Sequence, residues 1–105
     1  MDKERFLNIT QKRIFTVTFY KVDGSVRKMT AVRGGKKFVK GTGKLSEKVV
    51  GMWELKEYKH NRRMGLDEQQ SGERSFRSVK PETIISLRAN GKMYNSEGVE
   101  IEEVA

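Results

Sequence analysis

Between Arg13 and Arg33 apolar and polar positions alternate strictly enough to predict two strands folded about one turn. Phe15, Val17 and Phe19 fall on one face and Thr16, Thr18 and Tyr20 on the other, the period of two expected of a strand with one side buried. Lys21-Val22-Asp23-Gly24-Ser25 supplies the turn. A two-residue Asp23-Gly24 loop would set Lys28 opposite Phe19 and bury a charge. A type I turn with Gly24 in a left-handed bulge position instead sets Met29 opposite Val17 and Ala31 opposite Phe15. Because a slip of one residue turns every side chain over, the second register is predicted.

Residues 1–12 carry a weak helical pattern, with Phe6, Ile9 and Arg13 on one side, which equally fits an arm or an edge strand. After the hairpin, Arg33 to Glu47 is rich in glycine and lysine and reads as a long loop, of the length that is often functional. Val49 to Tyr58 reads as a third strand, with Val49, Gly51, Trp53 and Leu55 on one face and Met52, Glu54 and Lys56 on the other. Trp53 is expected in the core, and Gly51 marks a bulge or bend. Lys59 to Glu73 reads as a second long polar loop. Arg74 to Lys80 is expected as strand four, with Arg74, Phe76, Ser78 and Lys80 on one side and Ser75, Arg77 and Val79 on the other. Lys80-Pro81-Glu82-Thr83 predicts a 3₁₀ turn, because proline cannot continue a central strand. Thr83 to Arg88 follows as strand five, and Asn90-Gly91 is the strongest two-residue hairpin signal in the chain, returning into Lys92-Met93-Tyr94.

This order predicts an all-β fold, a small SH3-like β-barrel of about five strands with two long polar loops and a 3₁₀ turn before the last strands. An OB-like barrel is the alternative, disfavoured by the poor helix ends between Lys59 and Glu73. Residues 1–96 form the single domain, and residues 97–105 an acidic tail that leaves it. Phe15, Phe19, Trp53 and Phe76 are expected as core.

The stretch from Thr18 to Met29, followed by Val50-Gly51-Met52-Trp53-Glu54-Leu55 and Arg74-Ser75-Phe76-Arg77, resembles a family of short bacteriophage proteins described as SH3-like β-barrels of unassigned function. The Arg74-Ser75-Phe76-Arg77 run is also similar to the closing strand of WYL domains. The resemblance implies a barrel fold, a phage origin and expression in the cytoplasm of a bacterial host.

Composition adds the charge. The 105 residues hold 22 Lys and Arg against 14 Asp and Glu. Glu97, Glu100, Glu102 and Glu103 lie in the last nine residues, which leaves 22 cations against 10 acids, or +12, on residues 1–96. Between Arg27 and Lys44 there are seven basic residues and no acid. Such a surface attracts polyanions, although a merely solvated face has the same composition. There is no cysteine, which excludes disulfides and thiolate sites and agrees with a reducing compartment. No apolar run is long enough to span a membrane, and the N-terminal stretch is charged throughout, unlike a signal peptide.

Catalytic parts are missing. His60, the one histidine, stands in a basic segment without cysteines or clustered carboxylates, so no metal site or His-based triad is expected. Gly41-Thr42-Gly43-Lys44 fails as a phosphate loop, because Phe38 stands where the first glycine belongs and Leu45 where a hydroxyl residue belongs. No enzyme and no cofactor are expected. The predicted function is a nucleic-acid-binding module that works through phosphate contacts with little sequence readout, DNA and RNA both remaining open. The expected contacts are Arg27, Lys28, Arg33, Lys36, Lys37, Phe38, Lys40, Lys44, Arg74, Arg77, Arg88 and Lys92. Phe38 either closes over the barrel end or contacts a partner, and Tyr58 and Tyr94 are further stacking candidates. The alternative from another class is a phage effector that binds a host protein, steered by the same charges.

Overall fold

The computed structural model describes residues 1–11, 13–33 and 48–101. The predicted loop between Arg33 and Glu47, Phe38 with it, lies outside the described residues, as do residues 102–105. In chain order the elements are α1 (Lys3–Thr10), β1 (Ile14–Tyr20), β2 (Val26–Arg33), β3 (Val50–Glu54), α2 (Leu55–Arg63), α3 (Glu68–Ser75) and β4 (Phe76–Val79). A 3₁₀ turn (Pro81–Thr83), β5 (Ile84–Ala89), β6 (Lys92–Tyr94) and β7 (Glu100–Ile101) complete it.

The strands form one antiparallel sheet in the order β4-β3-β2-β1-β5-β6-β7. β4 and β7 are its two edges and do not pair with each other, so neither the expected SH3-like barrel nor the OB-like alternative forms. The fold is α+β, an open seven-stranded sheet with three α-helices among the described residues. A barrel hides one sheet face inside itself, whereas here α1 covers that face. The Phe6 ring meets Phe15 edge-on at 5.5 Å, and Phe6, Ile9, Phe15, Val17, Met29, Ala31, Met52 and Leu87 share one core. The helix forms because Asp2 caps it, its carboxylate accepting from Glu4 N at 3.2 Å, while Phe6, Ile9 and Thr10 recur at helical spacing and are buried. Its outer side is tied to the C-terminal half: Arg5 Nε donates to Gly98 O at 2.9 Å, and the N-terminal amine donates to Pro81 O at 3.2 Å.

The first hairpin has the predicted register, Val17 opposite Met29 and Phe15 opposite Ala31. Gly24 N donates to Lys21 O at 2.9 Å with φ at +86°, the left-handed bulge position. The Asp23 carboxylate accepts from the Ser25 hydroxyl and amide, which hold its pKa below the ordinary carboxylate value. A Cβ at Gly24 would meet nothing within 4 Å, so Gly24→Ala is expected to cost only the backbone strain, about 1 kcal/mol, read as a lowered thermal midpoint. The Asn90-Gly91 turn has both φ angles positive, +54° and +75°, as a type I′ hairpin requires. The 3₁₀ turn at Pro81 also forms as predicted.

Three other expectations are corrected. The third strand ends at Glu54, and its buried face carries Val50 and Met52 rather than Trp53. Pairing decides this: Arg33 opposite Met52 continues the Phe15 side of the sheet, while Val32 opposite Trp53 continues the other. Trp53 and Phe76, a directly opposed pair, are therefore only partly buried and lie outside the core. Lys59 to Glu73 is not a loop but most of a helical hairpin. Its two helices meet through small and polar residues, with Asn61, Ser71, Gly72 and Ser75 buried, so it lacks the apolar periodicity by which a helix is recognised. The start and stop signals are nevertheless present: Gly65 at φ +93° follows α2, and the Asp67 carboxylate caps α3 by accepting from Gln70 N at 2.7 Å. Arg74 and Ser75 belong to that helix, and β4 begins at Phe76.

At the C-terminal end, where the sequence predicts an acidic tail leaving the domain from residue 97, the Asn95 side chain accepts from Glu97 N and Val99 N, turning the chain back so that Glu100 and Ile101 add β7 to the sheet.

Candidate nucleic-acid interface

Residues directly opposed on neighbouring strands point to the same side of a sheet, so the pairing sorts every strand residue onto one of two faces. The face under α1 is apolar. The other face is built of cross-sheet rows: Phe76, Trp53, Val32 and Ile14; then Thr30, Thr16, Arg88, Met93 and Ile101; then Lys28, Thr18 and Ser86; and last Val26 with Tyr20. Ile14, Tyr20, Val26, Lys28 and Arg88 on it are exposed, and the Thr16 and Thr30 hydroxyls are hydrogen-bonded at 3.1 Å. We refer to it as the open face.

Charge is sorted between the two sides. The strand positions of the open face carry Lys28 and Arg88 and no acid. The strand acids Glu54 and Glu100 stand on the α1 side, where each has a basic partner. Arg27 pairs with Glu54, which is 13% exposed, and Lys92 Nζ lies 3.8 Å from Glu100.

The predicted contact residues are divided accordingly. Lys28 and Arg88 are brought onto one face. Arg27, Arg33, Arg77 and Lys92 occupy the α1 side, each engaged: Arg33 Nε donates to Gln11 O at 2.8 Å, and Arg77 Nη1 donates to Arg74 O and Phe76 O at 2.9 and 2.8 Å. Burial lowers the Arg33 pKa, which leaves a guanidinium charged at neutral pH all the same. Arg74 is exposed in the last turn of α3. Lys36, Lys37, Phe38, Lys40 and Lys44 lie outside the described residues.

Sequence reasoning did not single out the basic side chains of α2. Lys56, Lys59, His60 and Arg63 recur at i, i+3, i+4 and i+7, and all four are exposed, which puts them along one side of the helix. On another side Tyr58 packs its ring against Trp53, with centroids 4.8 Å apart. That contact stands α2 beside the aromatic corner of the open face. The basic spacing was visible in the sequence, and the assignment of Lys56 to a strand and of Lys59 to Arg63 to a loop concealed it.

Among the described residues no three His, Cys, Asp or Glu side chains converge to hold a metal ion, and no helix is long and apolar enough to cross a membrane. Comparison of the chain with known protein families, with curated proteins and with solved structures finds no match.

Proposed function

We propose that this protein is a small nucleic-acid-binding module that holds its ligand chiefly through phosphate contacts, in the cytoplasm of the cell that makes it. The observation that carries this reading is the sorting of charge: Glu54 and Glu100 take up Arg27 and Lys92 behind the sheet, while the charged strand residues of the open face are Lys28 and Arg88, and α2 adds an exposed basic row. Lys28 and Arg88 on the open face and Lys56, Lys59 and Arg63 on α2 are all exposed to an approaching polyanion, and the strand positions of that face carry no carboxylate. Neutralising phosphates releases condensed counterions, which supplies affinity without demanding a particular base sequence.

The test is a salt titration of binding to a labelled oligonucleotide. The logarithm of the affinity is expected to fall linearly with the logarithm of salt concentration. Replacing Lys56, Lys59 and Arg63 together by alanine, which keeps α2 helical, is expected to lower the affinity and to reduce the slope by about 2 to 3. Binding undetectable at about 50 mM salt would sink the reading. A slope unchanged in the triple variant would remove α2 from the interface.

A further inference from the structure

We propose that the ligand is single-stranded and that the open face takes its unpaired bases, with Tyr20 as a stacking platform. The inference rests on the nucleic-acid reading and specifies which form of nucleic acid is bound.

Dimensions separate a duplex from a single strand. Seven strands spaced 4.7–4.9 Å apart make a sheet about 29 Å across, whereas the major groove of a duplex is about 12 Å wide. A groove admits a helix or a two-stranded ribbon but not this face, so bases reach the sheet only if they are already out of a duplex. The chemistry agrees. The open face mixes an exposed ring (Tyr20) and two partly buried ones (Phe76, Trp53) with hydroxyls (Thr16, Thr18, Thr30, Ser86) and two cations, the set that unpaired bases and their phosphates use. Tyr20 is 53% exposed, at the end of β1 away from the Trp53 corner, and lies opposite Val26, which is itself exposed. Its ring is thus available without rearrangement of the core.

Charge also selects among occupants. A second copy of this chain laid face to face would bring Lys28 and Arg88 against cations of the same kind, in a protein whose formal net charge is already +8. A strand of phosphates meets the same two residues favourably.

The experiment measures binding of the full chain to fluorescein-labelled oligo(dT) and oligo(U) of about 20 nucleotides, and to a duplex of the same length, at matched salt. Emission of Trp53, the chain's one tryptophan, is followed in parallel. Single strands are expected to bind at least about tenfold more tightly than the duplex and to quench Trp53, because a base stacks where a groove wall cannot. Tyr20→Ala is expected to lower single-strand affinity roughly 5- to 100-fold at an unchanged melting temperature, and Tyr20→Phe to restore it. Duplex binding as tight as single-strand binding, or Tyr20→Ala without effect on affinity, overturns this inference and leaves the phosphate-binding reading standing. Failure of all three oligonucleotides to bind overturns both.

Discussion

Phe6→Ala is expected to cost about 3–5 kcal/mol, roughly a fifth or more of the stability a domain of this size has to lose. Phe6 is fully buried, and its ring packs edge-on against Phe15 at the centre of the sheet. Removing the ring leaves a void between α1 and β1 that neighbouring strands, held by their hydrogen bonds, cannot close. The loss is compounded because α1 is the lid of the core: without it the Phe15, Val17 and Leu87 face meets water. Urea unfolding followed by circular dichroism measures the effect. Ile14→Ala, at a position 57% exposed on the open face of the same strand, is the control and is expected to change stability by no more than about 0.5 kcal/mol. Equal midpoints for the two variants would show that α1 does not seal the core.

Gly98→Ala is expected to cost roughly 2–4 kcal/mol, well beyond Gly24→Ala, although both glycines have positive φ. At Gly98, φ is +81° and a Cβ would lie 2.6 Å from Arg5 Cγ and 3.3 Å from Met1 Cγ. Arg5 cannot simply swing away, because Nε is bonded to Gly98 O and its guanidinium sits 5.7 Å from the centre of the Tyr94 ring. The substitution therefore combines backbone strain with the loss of that bond, detaching α1 from the turn that precedes β7. A double-mutant cycle with Arg5→Ala isolates the steric part: the two changes together should cost less than their sum, since Arg5→Ala removes the obstructing Cγ. Additive costs would mean that the two residues are not in contact.

Neither of these predictions was within reach of the sequence. Both depend on where α1 docks, and the first twelve residues carry only a weak pattern that fits a helix, an arm or a strand. The same is true of the candidate interface. The cations from Arg27 to Lys92 are evident as composition, but Arg27 and Lys28, adjacent in the chain, end on opposite sides of the sheet, one paired with Glu54 and the other on the face whose strand positions carry no acid among the described residues. The α2 row was concealed for another reason. A helical hairpin closed by Asn61, Ser71, Gly72 and Ser75 lacks the apolar stripe by which amphipathic helices are read.

What the sequence determined by itself is local: the Gly24 turn and its register, the Asn90-Gly91 hairpin, the 3₁₀ turn at Pro81, and the identity of strands β1, β2, β5 and β6. Each follows from backbone sterics at glycine or proline, or from a period-2 pattern with one apolar face, and needs no information from distant residues. Tertiary structure alone decided that the sheet stays open, that α1 rather than barrel closure buries its apolar face, and that Trp53 faces outward. In Val50-Gly51-Met52-Trp53 both faces of the strand carry apolar residues, so alternation cannot choose between them. The pairing of Arg33 with Met52 and of Val32 with Trp53, made with a strand distant in sequence, chooses instead. It leaves the chain's one tryptophan on the open face, packed against Tyr58 of α2, because the apolar core lies on the α1 side.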